Sequence, residues 1–217
     1  MTTKHEKVLI VTSVDVEKEA VLRGLHHDPR FDVQVIGVGP MNAAASTASL
    51  LSKEQYDLVV NVGIGGGFPN VAQIGSLVVS TEIVAADLGA ETDDGFKPIE
   101  QLGFGKSRIH CDKELVEKLY AAMLTKELKV NKGPVLTLST VTGTSETAQV
   151  LSERVRGAAV EAMEGFGVAT AAEQNDVPVI EVRSVSNAVG PRDRGAWKIN
   201  EALLVIEKAS SVLKEAL

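Results

Sequence analysis

Six short runs rich in Val, Ile and Leu, at residues 8–12, 33–38, 58–62, 77–83, 135–138 and 179–185, constrain this chain more than any other feature. Each is too short for a typical helix and too continuously apolar for a strand with one wet face, so each reads as a strand buried on both sides. Between them lie alanine-rich or amphipathic stretches at 17–25, 41–54, 113–124, 145–156, 165–175 and 196–215 that read as helices. Parallel neighbours in a sheet need a long crossover, and a helix is the usual one. The alternation therefore predicts an α/β three-layer sandwich with a central, mostly parallel, twisted sheet, formed as one domain over residues 1–217. Aromatics make up only 4% of the chain against 44% apolar residues, so the core must be aliphatic.

Charge and cysteine content narrow the function classes. Lys and Arg number 22 against 29 Asp and Glu, a formal charge of −7, which repels phosphate backbones and anionic lipid. Nucleic acid and membrane are therefore not expected partners. No apolar run approaches a membrane span, and the opening MTTKHEKVLIVTSVDVE meets charge too early for a signal-peptide core. The single cysteine, Cys111, rules out an internal disulfide and a cysteine-rich metal site, and fits a reducing cytoplasm. His5, His26, His27 and His110 show no metal-ligand spacing. No metal site is therefore expected.

In open sheets of this kind, ligands sit beyond the carboxyl ends of the strands. Asp15 and Glu17 follow the first run, Gly37 to Gly39 the second, Gly63 to Gly67 the third, Thr142 to Glu146 the fifth, and Ser186 and Asn187 the sixth. The polar, Gly-bearing stretch 93–107 reads as a loop insertion and a candidate lid. The cluster N-V-G-I-G-G-G at 61–67 runs into Phe68-Pro69-Asn70 and not into a helix, and no Lys-Ser or Lys-Thr pair accompanies it. Neither a dinucleotide fingerprint nor a P-loop fits. Glycine there either lets backbone lie flat against a ligand or merely makes a tight connection.

V-E-A-M-E-G at 160–165 places Glu161, Met163 and Glu164 beside an alanine-rich helix. Glu164 is either a solvated helix N-terminus or an acceptor for a ligand's hydroxyls. Arg183, between Glu181 and buried-strand residues, points to an internal ion pair, and Asn187 is a turn former or a ligand contact. No G-x-S-x-G elbow or Ser-His-Asp order occurs, so nucleophilic catalysis is not expected.

Together these stretches resemble the nucleoside phosphorylase superfamily, and within it the methylthioadenosine/S-adenosylhomocysteine nucleosidases and futalosine hydrolases. The resemblance is carried by V-L-I-V-T-S-V-D-V-E at 8–17, G-V-G-P-M-N-A-A at 37–44, N-V-G-I-G-G-G at 61–67, M-E-G at 163–165 and V-P-V-I-E-V-R-S-V-S-N at 177–187, in family order along nearly the whole chain. It implies a nucleoside phosphorylase-like fold, a nucleoside substrate, hydrolysis of the base–ribose bond without a cofactor, and a homo-oligomer. It also implies Glu17 as the residue that activates water, with Glu19 as its rival. Glu164 would bind the ribose hydroxyls, Met163 would lie against the sugar, and Gly65, Gly66 and Asn187 would meet the base. Adenine-specific relatives carry Asp where this chain has Asn187; an amide offers an NH₂ donor and a carbonyl but no transferable proton. That departure favours a 6-oxopurine such as hypoxanthine. The stretch N-A-V-G-P-R-D-R-G-A-W at 187–197 resembles the futalosine hydrolase branch, whose substrate carries an aryl carboxylate that Arg192 or Arg194 would bind. The alternatives are a purine nucleoside phosphorylase, a methylthioadenosine nucleosidase, and a non-catalytic nucleoside-binding protein.

Overall fold

The structure, a computed structural model, describes residues 5–217. The first four residues, part of the stretch read above for a signal segment, lie outside the described residues. In chain order the elements are β1 (Val8–Thr12), α1 (Asp15–Leu25), β2 (Phe31–Val35), α2 (Pro40–Leu51), β3 (Leu58–Gly67), β4 (Leu77–Ala85), β5 (Gly89–Thr92) and β6 (Gly95–Pro98). A 3₁₀ turn at Ile99–Leu102 leads to β7 (Arg108–His110), α3 (Lys113–Thr125), β8 (Val130–Thr137), α4 (Ser145–Arg154), β9 (Val160–Ala162), α5 (Gly165–Gln174) and β10 (Val179–Ala188). A second 3₁₀ turn, Arg194–Ala196, precedes α6 (Ile199–Ala216).

All six predicted strands and all six predicted helices form, with shifted ends. β2 stops at Val35, β8 starts earlier at Val130, and α6 starts later at Ile199. The stretch 93–107, expected as a loop insertion, instead carries β6, its turn from β5 and the first 3₁₀ turn. Arg154 packs its guanidinium 3.7 Å from the Phe96 ring centre and ties this insertion to the end of α4.

The sheet is mixed and closes on itself. β2, β1 and β3 are parallel neighbours, and β3 continues as the parallel partner of β10. β10 then meets β4 antiparallel, β4 meets β8 parallel, β8 meets β9 parallel, and β9 returns antiparallel to β3. Five strands thus make a hydrogen-bonded ring, where an open sheet was expected. β1 and β2 extend it from β3, and β7 extends it from β4. The glycines of 61–67 do not follow β3 but form its second half. A Cβ at Gly65 would stand 2.5 Å from Val160 Cγ1 and 2.8 Å from the Glu161 carbonyl oxygen. Closure brings β9 too near β3 for any side chain there.

Helices cover both sides of the sheet. α1 packs on α6 and α6 on α3, while α2 packs on α5. β1 has all five residues buried, which explains its unbroken apolar run. Among the described residues no helix is long and apolar enough to cross a membrane. The α2–α5 contact depends on Gly167, where a Cβ would fall 2.2 Å from the Pro40 carbonyl oxygen. Gly167→Val should therefore force the helices apart and lower stability by about 1–3 kcal/mol, read as a reduced urea midpoint.

Candidate active site

Four chain segments meet beside the strand ring and line a cavity of about 290 Å³. Ser13, Val14 and Glu17 come from the β1–α1 junction, and Ile64, Gly65 and Gly66 from β3. Glu161 and Ala162 of β9 continue into Met163 and Glu164, and β10 brings Arg183, Ser186 and Asn187. Val38, Val141 and Trp197 complete the wall.

α1 begins at Asp15, two residues earlier than its sequence pattern indicated, which puts Glu17 in the first turn. A carboxylate suits that end of a helix. Glu17 accepts hydrogen bonds from the backbone N–H groups of Ser13 and Ile64, each at 2.9 Å, and is only 3% exposed. Burial pushes its carboxyl above the ordinary value, against the pull of the Arg183 guanidinium and the two N–H donors. Glu19, its rival, is exposed and does not line the cavity.

Glu164 stands at the entry to α5, buried, and accepts from the Gly39 N–H at 3.2 Å and from Arg183 Nη2 at 3.1 Å. Arg183 is 1% exposed. Its Nε donates to Glu181 Oε1 at 2.7 Å and its Nη1 to the Ile64 carbonyl at 3.3 Å. Burial acts to lower its pKa, but the carboxylates of Glu181, Glu164 and Glu17 outweigh it and keep the guanidinium charged. The ion pair read from the sequence is therefore one arginine serving three glutamates, two of which line the cavity.

The Asn187 amide is oriented by its neighbours. The Ser186 hydroxyl donates to its Oδ1 at 2.8 Å, and its Nδ2 donates to the Ala188 carbonyl at 3.1 Å. The same Nδ2 lies 3.2 Å from where a Gly66 Cβ would stand, so the donor end faces Gly66. Both glycines line the cavity; the absent side chain of Gly65 makes room for Val160, and a Cβ at Gly66 would crowd Val189 Cγ2 at 3.1 Å as well as Asn187. Met163 lines the wall half-buried.

Arg192 and Arg194 are exposed and outside the lining, with their guanidiniums 5.5 and 6.0 Å from the Trp197 ring centre. No residue of 93–107 lines the cavity, so the expected lid is not at this site. Sequence reasoning missed Trp197 and the cavity role of Glu161. The motif 187–197 contained the first, and the buried-strand context of V-E-A contained the second.

The fold and the cavity define the class. This chain belongs to the phosphorylase superfamily, whose family profile matches residues 10–217. It is 49% identical to the futalosine hydrolase of Streptomyces coelicolor, over 97% of this chain and 96% of that one. It is 42% identical to the futalosine hydrolase of Acidothermus cellulolyticus, over 97% and 91%. The native structure of futalosine hydrolase of Helicobacter pylori strain 26695 superposes with a TM-score of 0.84 at 17% identity, covering 97% of this chain and 98% of that one. That last likeness establishes the shared fold.

Removing the guanidinium would strand Glu181 and Glu164 in the interior. Breaking a buried pair from one side typically costs about 3–5 kcal/mol. Arg183→Met should therefore lower the unfolding free energy by that order in urea titrations at neutral pH.

Proposed function

We propose that this chain is a cytoplasmic hydrolase that cuts the N-glycosidic bond of futalosine, releasing hypoxanthine and dehypoxanthine futalosine, in menaquinone biosynthesis. The substrate assignment follows the near full-length identity to two futalosine hydrolases. The observation that carries the chemistry is the meeting of Glu17, Glu164 and Asn187 in one cavity.

As the C1′–N9 bond lengthens, the ribose takes on oxocarbenium character. Glu164, anchored by Arg183 and the Gly39 N–H, accepts the ribose hydroxyls, and Met163 lies against the sugar. Glu17 takes a proton from the water that adds to C1′. Its raised pKa makes it a stronger base than an ordinary carboxylate. Asn187 and the glycine floor at Gly65 and Gly66 receive the departing base. Trp197 stacks on the aryl group of the C5′ tail, and Arg192 and Arg194, held over its ring, bind the tail's carboxylate. This scheme uses no metal or organic cofactor.

Phosphorolysis fits the same cavity less well. Among the described residues Arg183 is the one arginine lining it, and two glutamates already occupy its donors. Glu17, on the path of the nucleophile, would repel phosphate. Val14 and Val38 line the cavity yet are 38% and 49% exposed. That open wall supports a homo-oligomer in which a second copy covers it.

Chromatography after incubation with futalosine, inosine and methylthioadenosine tests the assignment. Hypoxanthine should appear from futalosine at a rate independent of added phosphate, and release of adenine from methylthioadenosine as the preferred reaction would overturn it. Glu17→Gln should cut kcat by roughly 10²–10⁴-fold while substrate binding by calorimetry persists. Because the base must be ionised, kcat/KM of the wild type should rise with pH through a pKa above 4.5, the ordinary glutamate value. The variant should lack that limb.

A further inference from the structure

One fully buried carboxylate has no part in the scheme above. Glu181 of β10 does not line the cavity, yet it touches groups that shape it. Its Oε1 accepts from Arg183 Nε at 2.7 Å and from Asn61 Nδ2 of β3 at 3.1 Å. Among the described residues its Oε2 has no hydrogen-bond partner. That oxygen fills the space of a missing side chain, because a Cβ at Gly165 would fall 2.1 Å from it. Gly165 opens α5 directly after Glu164. The glycine of M-E-G is therefore the residue that admits Glu181 to the head of that helix. Burial pushes the Glu181 carboxyl up, and the Arg183 guanidinium is the chief group opposing that. A carboxylate held so deep, with one oxygen unpaired, is costly and calls for an explanation.

The explanation lies in how the arginine is aimed. A guanidinium is a rigid plane, so holding Nε fixes where both terminal nitrogens stand. With Nε on Glu181, Nη2 meets Glu164 at 3.1 Å and Nη1 rests on the Ile64 carbonyl at 3.3 Å. Nη1 and Glu17 Oε1 share the space beside Gly63, where a Cβ would lie 2.3 Å from the first and 2.9 Å from the second. Arg183 nevertheless pairs with Glu164 and Glu181 and not with Glu17, whose Oε1 accepts from the Ile64 N–H. A turn of the plane would carry Nη1 onto Glu17. The charged groups facing Glu17 are Arg183 from β10 and Glu164 from the head of α5. Cys111 beside β7 faces Glu181, but its thiol, pushed up to about 11 chiefly by burial, stays neutral.

We propose that Glu181 is a positioning residue for the hydrolysis: it clamps Arg183 by Nε, so that Nη2 anchors Glu164 while Nη1 stays off Glu17. The inference rests on the nucleosidase reading above and adds a residue that touches neither substrate nor water. A direct Arg183–Glu17 pair would stabilise the carboxylate and weaken it as a base. Reach to Nε, more than charge, is what the role requires.

Three substitutions separate reach from charge. Glu181→Gln keeps the length and an oxygen for Nε and Asn61 but removes the charge. Glu181→Asp keeps the charge and draws it back by one methylene, and Glu181→Leu keeps neither. The Gln variant should hydrolyse futalosine within about threefold of the wild-type kcat/KM, with the acid limb of its pH profile in place. The Asp and Leu variants should lose about 10–100-fold, and their acid limb should move about one pH unit lower. Carbon-13 NMR titration of the Glu17 carboxyl, assigned with Glu17→Gln, reads the same shift without substrate. A Gln variant as impaired as Leu beside an active Asp variant would assign Glu181 to charge balance and overturn the proposal. Wild-type rates in the folded Asp or Leu variant overturn it too, as does lower activity with an unmoved Glu17 titration, the mark of a merely structural role. If the Leu variant is insoluble, the comparison of Asp with Gln decides. Failure of the wild type to release hypoxanthine would sink the nucleosidase reading instead, and the NMR titrations would still show whether Glu181 keeps Arg183 off Glu17.

Discussion

Arg183 occupies the position on which the cavity's geometry depends. A guanidinium has a rigid planar fork of donors and stays charged at any accessible pH. Here the fork reaches Glu181 behind it, Glu164 at the head of α5 and the Ile64 carbonyl in β3. Three elements, β3, the head of α5 and β10, are thereby held at fixed separation. Glu17, which Arg183 stabilises without a direct hydrogen bond, has its pKa raised chiefly by burial, which outweighs the guanidinium and the two backbone donors. The raised pKa of Glu17 is thus a consequence of how deeply the fold buries it.

Closure of the sheet is the second constraint, and glycine makes it possible. β3 must serve β1 with its first half, β9 with its last residues and β10 along nearly its whole length. Side chains at Gly65 would collide with β9. At Gly66 a Cβ would crowd Val189, Asn187 and Glu161, so packing holds this position to glycine as well. Both glycines thus answer a packing requirement, and both line the cavity.

Much of this was legible in the amino-acid order. Buried parallel strands leave unbroken aliphatic runs, so 8–12 and 179–185 announced themselves. Short strands did not: β9 has three residues, and β5 and β6 have four each, too few to establish a period. An open sheet was the natural expectation because alternation of strand and helix encodes parallel neighbours. It says nothing of antiparallel pairs such as β3 with β9 and β10 with β4, which close the ring. Glu17, Glu164 and Asn187 were found through motif order, and Arg183 through the oddity of a cation on an apolar strand. Trp197 and Glu161 were not weighed as cavity residues, since neither carries a local signal of what lies across from it.

Asn187 shows where the division falls. The sequence alone determined its chemistry: an amide, with donor and acceptor but no proton to give, at the end of a buried strand. Only the tertiary structure decided which end of that amide faces the cavity, because the orientation is set by the Ser186 hydroxyl and the Ala188 carbonyl. Likewise the sequence determined that Glu161 is a carboxylate, and the pairing of β9 with β3 placed it across Gly66 from Asn187. Residue identity fixes which hydrogen bonds a group can make; register and closure, which are long-range, fix which partners it meets.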